Sequence, residues 1–117
     1  MARNDLEVRT KAFALAVIDL VERIPKNRSA DAIARQLIRS GTSVGANYRE
    51  ANRAQSRDDF IHKVAISTKE ASETDFWLEL ITESPHLKTS GSETLMQEAR
   101  ELLAILTTIG RNANSTR

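Results

Sequence analysis

Cysteine is absent from this 117-residue sequence, which excludes a disulfide framework, a thiolate zinc site and a cysteine nucleophile. Aromatic residues make up only 4% of the chain, too few for nucleic-acid recognition by rows of stacked rings. No apolar run approaches the roughly 20 residues that a membrane-spanning helix needs. We therefore expect a cytoplasmic protein whose contacts with any nucleic acid are made through charge and shape.

Glycine and proline are also scarce, with four and two residues, and helical periodicity fills almost all of the sequence between them. Strict polar–apolar alternation, the sign of a half-buried strand, does not occur. The pattern predicts four helices, at residues 5–24, 30–53, 57–83 and 92–109. Short linkers between them favour antiparallel neighbours, so residues 1–110 are predicted to form an all-α, up-down-up-down four-helix bundle.

Local signals mark the helix ends. Pro25 ends the first helix, and Gly110 is expected to stop the fourth and leave residues 111–117 as a flexible tail. Capping residues are predicted before the other helices: Ser29, the pair Ser56 and Asp59, and the pair Ser90 and Glu93. The inward faces are predicted to carry, in chain order, Leu6, Phe13, Val17, Leu20, Val21, Ile24, Ile33, Leu37, Val44, Tyr48, Ala51, Phe60, Val64, Ser67, Ala71, Leu78, Leu95, Ala99, Leu102, Leu106 and Ile109.

The third helix is apolar almost all round, so more than one of its sides should be covered. In so small a protein a second copy of the chain is the simplest cover, which predicts a homo-oligomer. The predicted interface, anchored by Trp77, comprises Ile66, Trp77, Leu80 and Ile81. The alternative is that Trp77 fills the core of its own bundle.

An arginine stripe follows the second helix. At about 100° per residue its members lie within an arc of about 80°, opposite the core stripe. Arginine suits phosphate because its planar fork donates two hydrogen bonds to one anion. The stripe, which we name the arginine rail, predicts a nucleic-acid-binding face or, alternatively, an ordinary solvated face; its members are Arg28, Arg35, Arg39, Arg49, Arg53 and Arg57.

Catalytic and metal-binding patterns are lacking. The two histidines, His62 and His86, have no histidine or carboxylate three or four residues after them, and no phosphate loop or nucleophile elbow occurs. Glu70 and Glu73 share one flank of the third helix, where ion pairing with a neighbouring helix is a better explanation than acid catalysis. We expect no enzyme activity, no metal site and no cofactor.

Residues 36–80 resemble a bacterial family of four-helix-bundle proteins encoded in intervening sequences of 23S ribosomal RNA genes. The family motifs correspond to Gln36, Leu37, Arg39, Ser43, Val44, Asn47, Glu50, Ser56, Asp59, Phe60, Ile61, Glu70, Glu73, Leu78 and Leu80. Among these, we interpret Asn47, Glu50, Glu70 and Glu73 as structural polar contacts between the second and third helices. Relatives of this family include the accessory variability determinant proteins of diversity-generating retroelements, so the resemblance implies a homo-oligomer, with a pentamer favoured.

Charge is distributed unevenly along the chain. Residues 1–58 carry 11 Lys and Arg against 7 Asp and Glu, whereas residues 59–117 carry 6 against 9. Our leading hypothesis is a non-catalytic homo-oligomer that binds structured RNA or DNA through the arginine rail. The alternative is a protein-interaction module, accessory to a reverse transcriptase or antitoxin-like, that makes no direct contact with nucleic acid.

Overall fold

The computed structural model describes residues 3–116, except for the side chain of residue 3. It contains four long helices and measures 47 × 22 × 19 Å. Helix α1 spans Arg3–Arg23, α2 spans Arg28–Asn52, α3 spans Arg57–Glu83 and α4 spans Ser92–Ser115. The prediction of an all-α four-helix bundle is confirmed.

Contacts between helices fix the topology. Gly41 in α2 meets Val17 in α1, while Gly45, further along α2, meets the earlier Thr10. The same reversal relates α2 to α3, where Ser67 lies against Val44 and Thr74 lies against Ser40. Helices α3 and α4 also run antiparallel, as predicted. Helices α1 and α3 occupy opposite corners of the bundle, since neither packs on the other.

The core runs along the length of the bundle. The predicted inward positions are buried except for four that are partly exposed, namely Val21, Ile33, Phe60 and Ile109. Ile81 has no exposed surface and belongs to this core, so its prediction as an interface residue is wrong. The reason is that α3 packs against both α2 and α4, which buries a wider arc of α3 than one apolar stripe would cover.

Two predicted caps and one predicted helix end are wrong. Asn27, and not Ser29, caps α2: its side chain accepts a hydrogen bond from the Ala30 N–H at 2.9 Å. Gly91 begins α4 with a φ of 94° and no side-chain cap, a backbone conformation that glycine adopts without strain. Ser56 caps α3 as predicted, accepting a hydrogen bond from the Asp59 N–H.

Gly110 lies within α4, which continues to Ser115. The prediction of a flexible tail from residue 111 is therefore wrong for residues 111–115, and Arg117 lies outside the described residues. The last turns of α4 lie beside the beginning of α3, where Arg57 Nη1 donates to the carbonyl of Ala113 at 3.4 Å and to Thr116 Oγ1. Packing on α3 thus stabilises helix where a glycine alone suggests an end.

Candidate nucleic-acid interface

The arginine rail is present as a surface but is not uniform. Five of its members lie on α2 and the sixth, Arg57, is the first residue of α3. All six side chains are exposed. They differ in what they contact, because acids from the neighbouring helices reach some of them.

Arg39 is held by two acids of α3. Its Nη1 donates to Glu70 Oε2 at 3.0 Å, and its Nη2 donates to Glu73 Oε2. The same oxygen of Glu73 accepts a hydrogen bond from Trp77 Nε1 at 3.0 Å. Arg39 therefore links α2 to α3 and presents little unbalanced charge to an anion.

The rail arginines at the C-terminal end of α2 and the start of α3 also contact other groups. Arg49 Nε lies 3.6 Å from Glu7 Oε1 in α1, a loose ion pair. Arg53 Nη1 donates to the carbonyl of Arg49 at 3.3 Å and has no carboxylate partner among residues 3–116. Arg57 is tethered to the end of α4 by neutral groups.

Arg28 and Arg35 form the freest part of the rail. Within the described part of the chain neither side chain makes a hydrogen bond or an ion pair. The cations available to a partner are thus Arg28, Arg35 and Arg53, with Arg57 beside them. Helical spacing found the outward face, but it could not reveal acids contributed by α1 and α3.

Of the four predicted polar contacts between α2 and α3, two are present and two are not. Glu70 and Glu73 do link α2 to α3, through Arg39. Asn47 instead donates to the carbonyl of Ser43 in its own helix at 2.9 Å. Glu50 is exposed and has no side-chain partner among residues 3–116. The prediction of an α2–α3 contact is therefore wrong for Asn47 and Glu50.

Trp77 is partly buried on α3. It packs against the core, while its ring meets the edge of Phe76 at a centroid distance of 5.1 Å. Phe76 itself is 51% exposed. Ile66 and Leu80 are half-buried on the same helix. The side of α3 around Phe76 therefore retains an apolar surface.

A second apolar surface, which the sequence reasoning missed, lies on α1. Val8, Leu15 and Ile18 are 67%, 54% and 38% exposed. We call these three residues the α1 stripe. Their spacing of seven and three places them on one helix face. That spacing was a usable signal, but the stronger core pattern of Phe13, Val17 and Leu20 on the same helix obscured it.

An open cleft of about 480 Å³ lies where α2 ends, α3 begins and α4 ends. Asn52, Arg57 and Phe60 line one side, and Asn112 and Thr116 line the other. Small side chains complete the wall, which leaves the space open: Ala51, Ala54, Ser56 and Ala113. This cleft explains why Phe60 is only partly buried.

Asn52 is oriented within this wall by a contact with α1. Its Nδ2 donates to Glu7 Oε2 at 2.8 Å. This orientation leaves Oδ1 as a buried acceptor that has no hydrogen-bond donor among the described residues. Such an orphaned group costs about 1–3 kcal/mol.

The described residues offer no assembled catalytic or metal centre. Within residues 3–116, no group of three or more acidic or histidine side chains could hold a metal ion. His62 lies exposed on α3 and His86 lies exposed in the loop before α4. None of the helices described is long and apolar enough to cross a membrane.

Comparisons with known proteins identify a family model and a similar solved structure. The family model described as 23S rRNA-intervening sequence protein matches residues 4–108. A solved structure, of a protein with unknown function from the S23 ribosomal protein family of Bacteroides thetaiotaomicron, superposes with a TM-score of 0.84. Its sequence identity is 35%, over 95% of this chain and 99% of that chain. No curated protein matches the sequence.

Proposed function

Since the chain belongs to the family of 23S rRNA-intervening sequence proteins, we propose that it is a non-catalytic, homo-oligomeric bundle that binds structured RNA or DNA. The binding face is the exposed side of α2, centred on Arg28, Arg35 and Arg53. The single observation that supports this most strongly is that Arg28 and Arg35, on one helix face, have no partner among residues 3–116.

The spacing of the free arginines suits a phosphate backbone. Arg28 and Arg35 are seven residues apart, which is about 10 Å along a helix at 1.5 Å per residue. Arg53 extends the same face toward the other end of the bundle. Contacts of this kind position nucleic acid without reading its sequence. We therefore expect binding that is largely independent of sequence and steep in salt.

Self-association would multiply these contacts. The α1 stripe and the apolar surface around Phe76 and Trp77 lie on opposite corners of the bundle. Two unlike surfaces on opposite sides favour head-to-tail contact, which closes into a ring when the rotation permits. A ring of five, as the resemblance implies, would present several arginine faces together and strengthen weak single contacts through effective concentration.

The test is an affinity measurement across a salt series, with a labelled RNA hairpin and a duplex DNA of mixed sequence. For wild type we expect log K to fall with log salt by about 0.9 per neutralised phosphate on duplex DNA. Changing Arg28, Arg35 and Arg53 together to Gln should lower affinity and flatten this slope. Lysine at the same positions should recover part of the affinity, because charge remains while the bidentate fork does not.

Lys69→Gln is the matched control, because Lys69 is exposed on α3, outside the α2 face, and pairs with no acid among residues 3–116. It removes one positive charge without freeing a carboxylate and should change affinity little. Equal binding by wild type and the triple variant, with helical circular dichroism preserved, would rule out the proposed face.

The second candidate function is a protein-interaction module, as the possible relation to reverse-transcriptase accessory proteins suggests. The observation in its favour is the half-exposed ring of Phe76 beside Trp77, since aromatic anchors commonly dominate protein interfaces. It becomes the better explanation if wild type binds neither nucleic acid at low salt.

A further inference from the structure

We infer that the cleft at the end of the bundle accepts an unpaired nucleobase, such as one displaced from an RNA bulge or loop. Its volume of about 480 Å³ falls within the range of about 300–1,000 Å³ that is common for small-ligand sites. This inference rests on the proposed function and extends it, because it supplies a contact to the base beside contacts to phosphate.

The cleft combines the two kinds of group that hold an unstacked base. Phe60 and Arg57, on adjacent turns at the start of α3, offer an aromatic ring and a planar guanidinium. Both are surfaces on which unpaired bases stack. Asn112 provides a carboxamide from α4, and carboxamides pair with the donor and acceptor edge of a base.

A further feature points toward a hydrogen-bonding group as part of the ligand. The Asn112 side chain, which is exposed, makes no hydrogen bond of its own within residues 3–116. Its carboxamide is therefore open to a donor and an acceptor on the edge of a base.

The cleft also adjoins the arginine face. Arg53 follows Asn52 directly in sequence and precedes Ala54, and both neighbours line the cleft. A phosphate bound at Arg53 would therefore lie close to the cleft entrance. Scarcity of aromatic residues argued against base stacking from sequence, but one ring next to the arginines is sufficient for one base.

The experiment compares two RNA hairpins with the same stem, one fully paired and one carrying a bulged 2-aminopurine. Wild type should bind the bulged hairpin about tenfold more tightly, as expected for one base stacked on an aromatic side chain. Fluorescence of the 2-aminopurine should fall on binding. Phe60→Leu and, separately, Asn112→Ala should weaken or remove the preference and leave binding of the paired hairpin unchanged.

Phe76→Leu is the matched control for the ratio of the two affinities, since it removes an exposed ring of α3 that does not line the cleft. Any effect of this change on self-association acts on both hairpins alike. A second measurement separates this inference from the proposed function. Millimolar adenosine, which carries no phosphate, should shift the amide resonances of residues 52–60 and 112–116 in an NMR titration. Those shifts would support the cleft even if neither hairpin binds, an outcome that would overturn only the arginine face.

Equal affinity for the two hairpins, together with no shifts from adenosine at these amides, would overturn the inference while leaving the arginine face standing. A bulge preference that survives in both the Phe60→Leu and Asn112→Ala variants would also overturn it.

Discussion

Val17 of α1 packs directly against Gly41 of α2. A Cβ atom built on Gly41 would lie 2.9 Å from both Cγ1 and Cγ2 of Val17, closer than side chains pack. Gly41 is buried in the middle of α2, where glycine costs about 1 kcal/mol of helix stability relative to alanine. The absence of a side chain at this position therefore sets the distance between the two helices.

Gly41→Ala should lower the stability of the bundle. The valine is stiff at χ1, so it cannot move aside without displacing α1. We expect a loss of about 1–3 kcal/mol in the free energy of unfolding, as for overpacking of other cores. Gly110→Ala is the matched control: its Cβ would lie 3.6 Å from Val64 Cγ1, an ordinary contact. That variant should gain about 0.5–1 kcal/mol, measured by urea unfolding, and a loss there equal to that of Gly41→Ala would contradict this account.

Glu70→Ala should destabilise the protein, whereas Glu50→Ala should not. Glu70 is only 9% exposed and pairs with Arg39. Its removal leaves Arg39 without that partner and should cost about 1–3 kcal/mol. Glu50 is exposed without a side-chain partner among the described residues, so its change should stay within about 0.5 kcal/mol. Thermal unfolding of both variants is the measurement, and equal melting temperatures would contradict the assigned contacts.

Asn27→Ala should shorten or weaken α2 at its beginning. The Asn27 side chain accepts from the Ala30 N–H, and its Nδ2 donates to the carbonyl of His86 at 3.0 Å. Loss of a cap of this kind costs about 1 kcal/mol. Ser29→Ala removes the capping residue that the sequence pattern favoured and should cost less. A larger loss for Ser29→Ala than for Asn27→Ala in chemical unfolding would show that the cap is placed wrongly.

Leu15→Glu should reduce the mass of the assembly in solution. Leu15 is 54% exposed at the centre of the α1 stripe, and a buried unpaired charge at an interface is unfavourable. Light scattering at micromolar concentration should give several times 13.0 kDa for wild type and a lower mass for the variant. Trp77→Ala should lower the mass too if α3 supplies the opposite surface.

Ala104→Glu, on an exposed side of α4, is the control and should keep the mass of wild type. A wild-type mass equal to one chain would exclude the proposed oligomer. An unchanged mass in Leu15→Glu alone would move the interface away from α1.

Periodicity predicted the helices well because the buried face of a helix repeats every three to four residues. This repeat can be read from the sequence of each helix without knowing its neighbours. Leu37, Val44 and Leu78 were identified as core in this way, and each is fully buried. Ser56 was identified as a cap because the Asp59 N–H that it binds lies three residues away. Information of this kind is local, and the sequence alone contains it.

Other features depended on residues distant in sequence, and only the folded chain decided them. Ile81 became core because α3 is packed on two sides. The charge of Arg39 is balanced because Glu70 and Glu73 of another helix form ion pairs with it. The sequence by itself determined four helices, their inward faces and the outward direction of the arginines. Tertiary structure decided which arginines remain free, and it formed the cleft lined by Asn52, Phe60 and Asn112. Ion pairs and cavities arise between helices, so they produce no periodic pattern within the sequence of one helix.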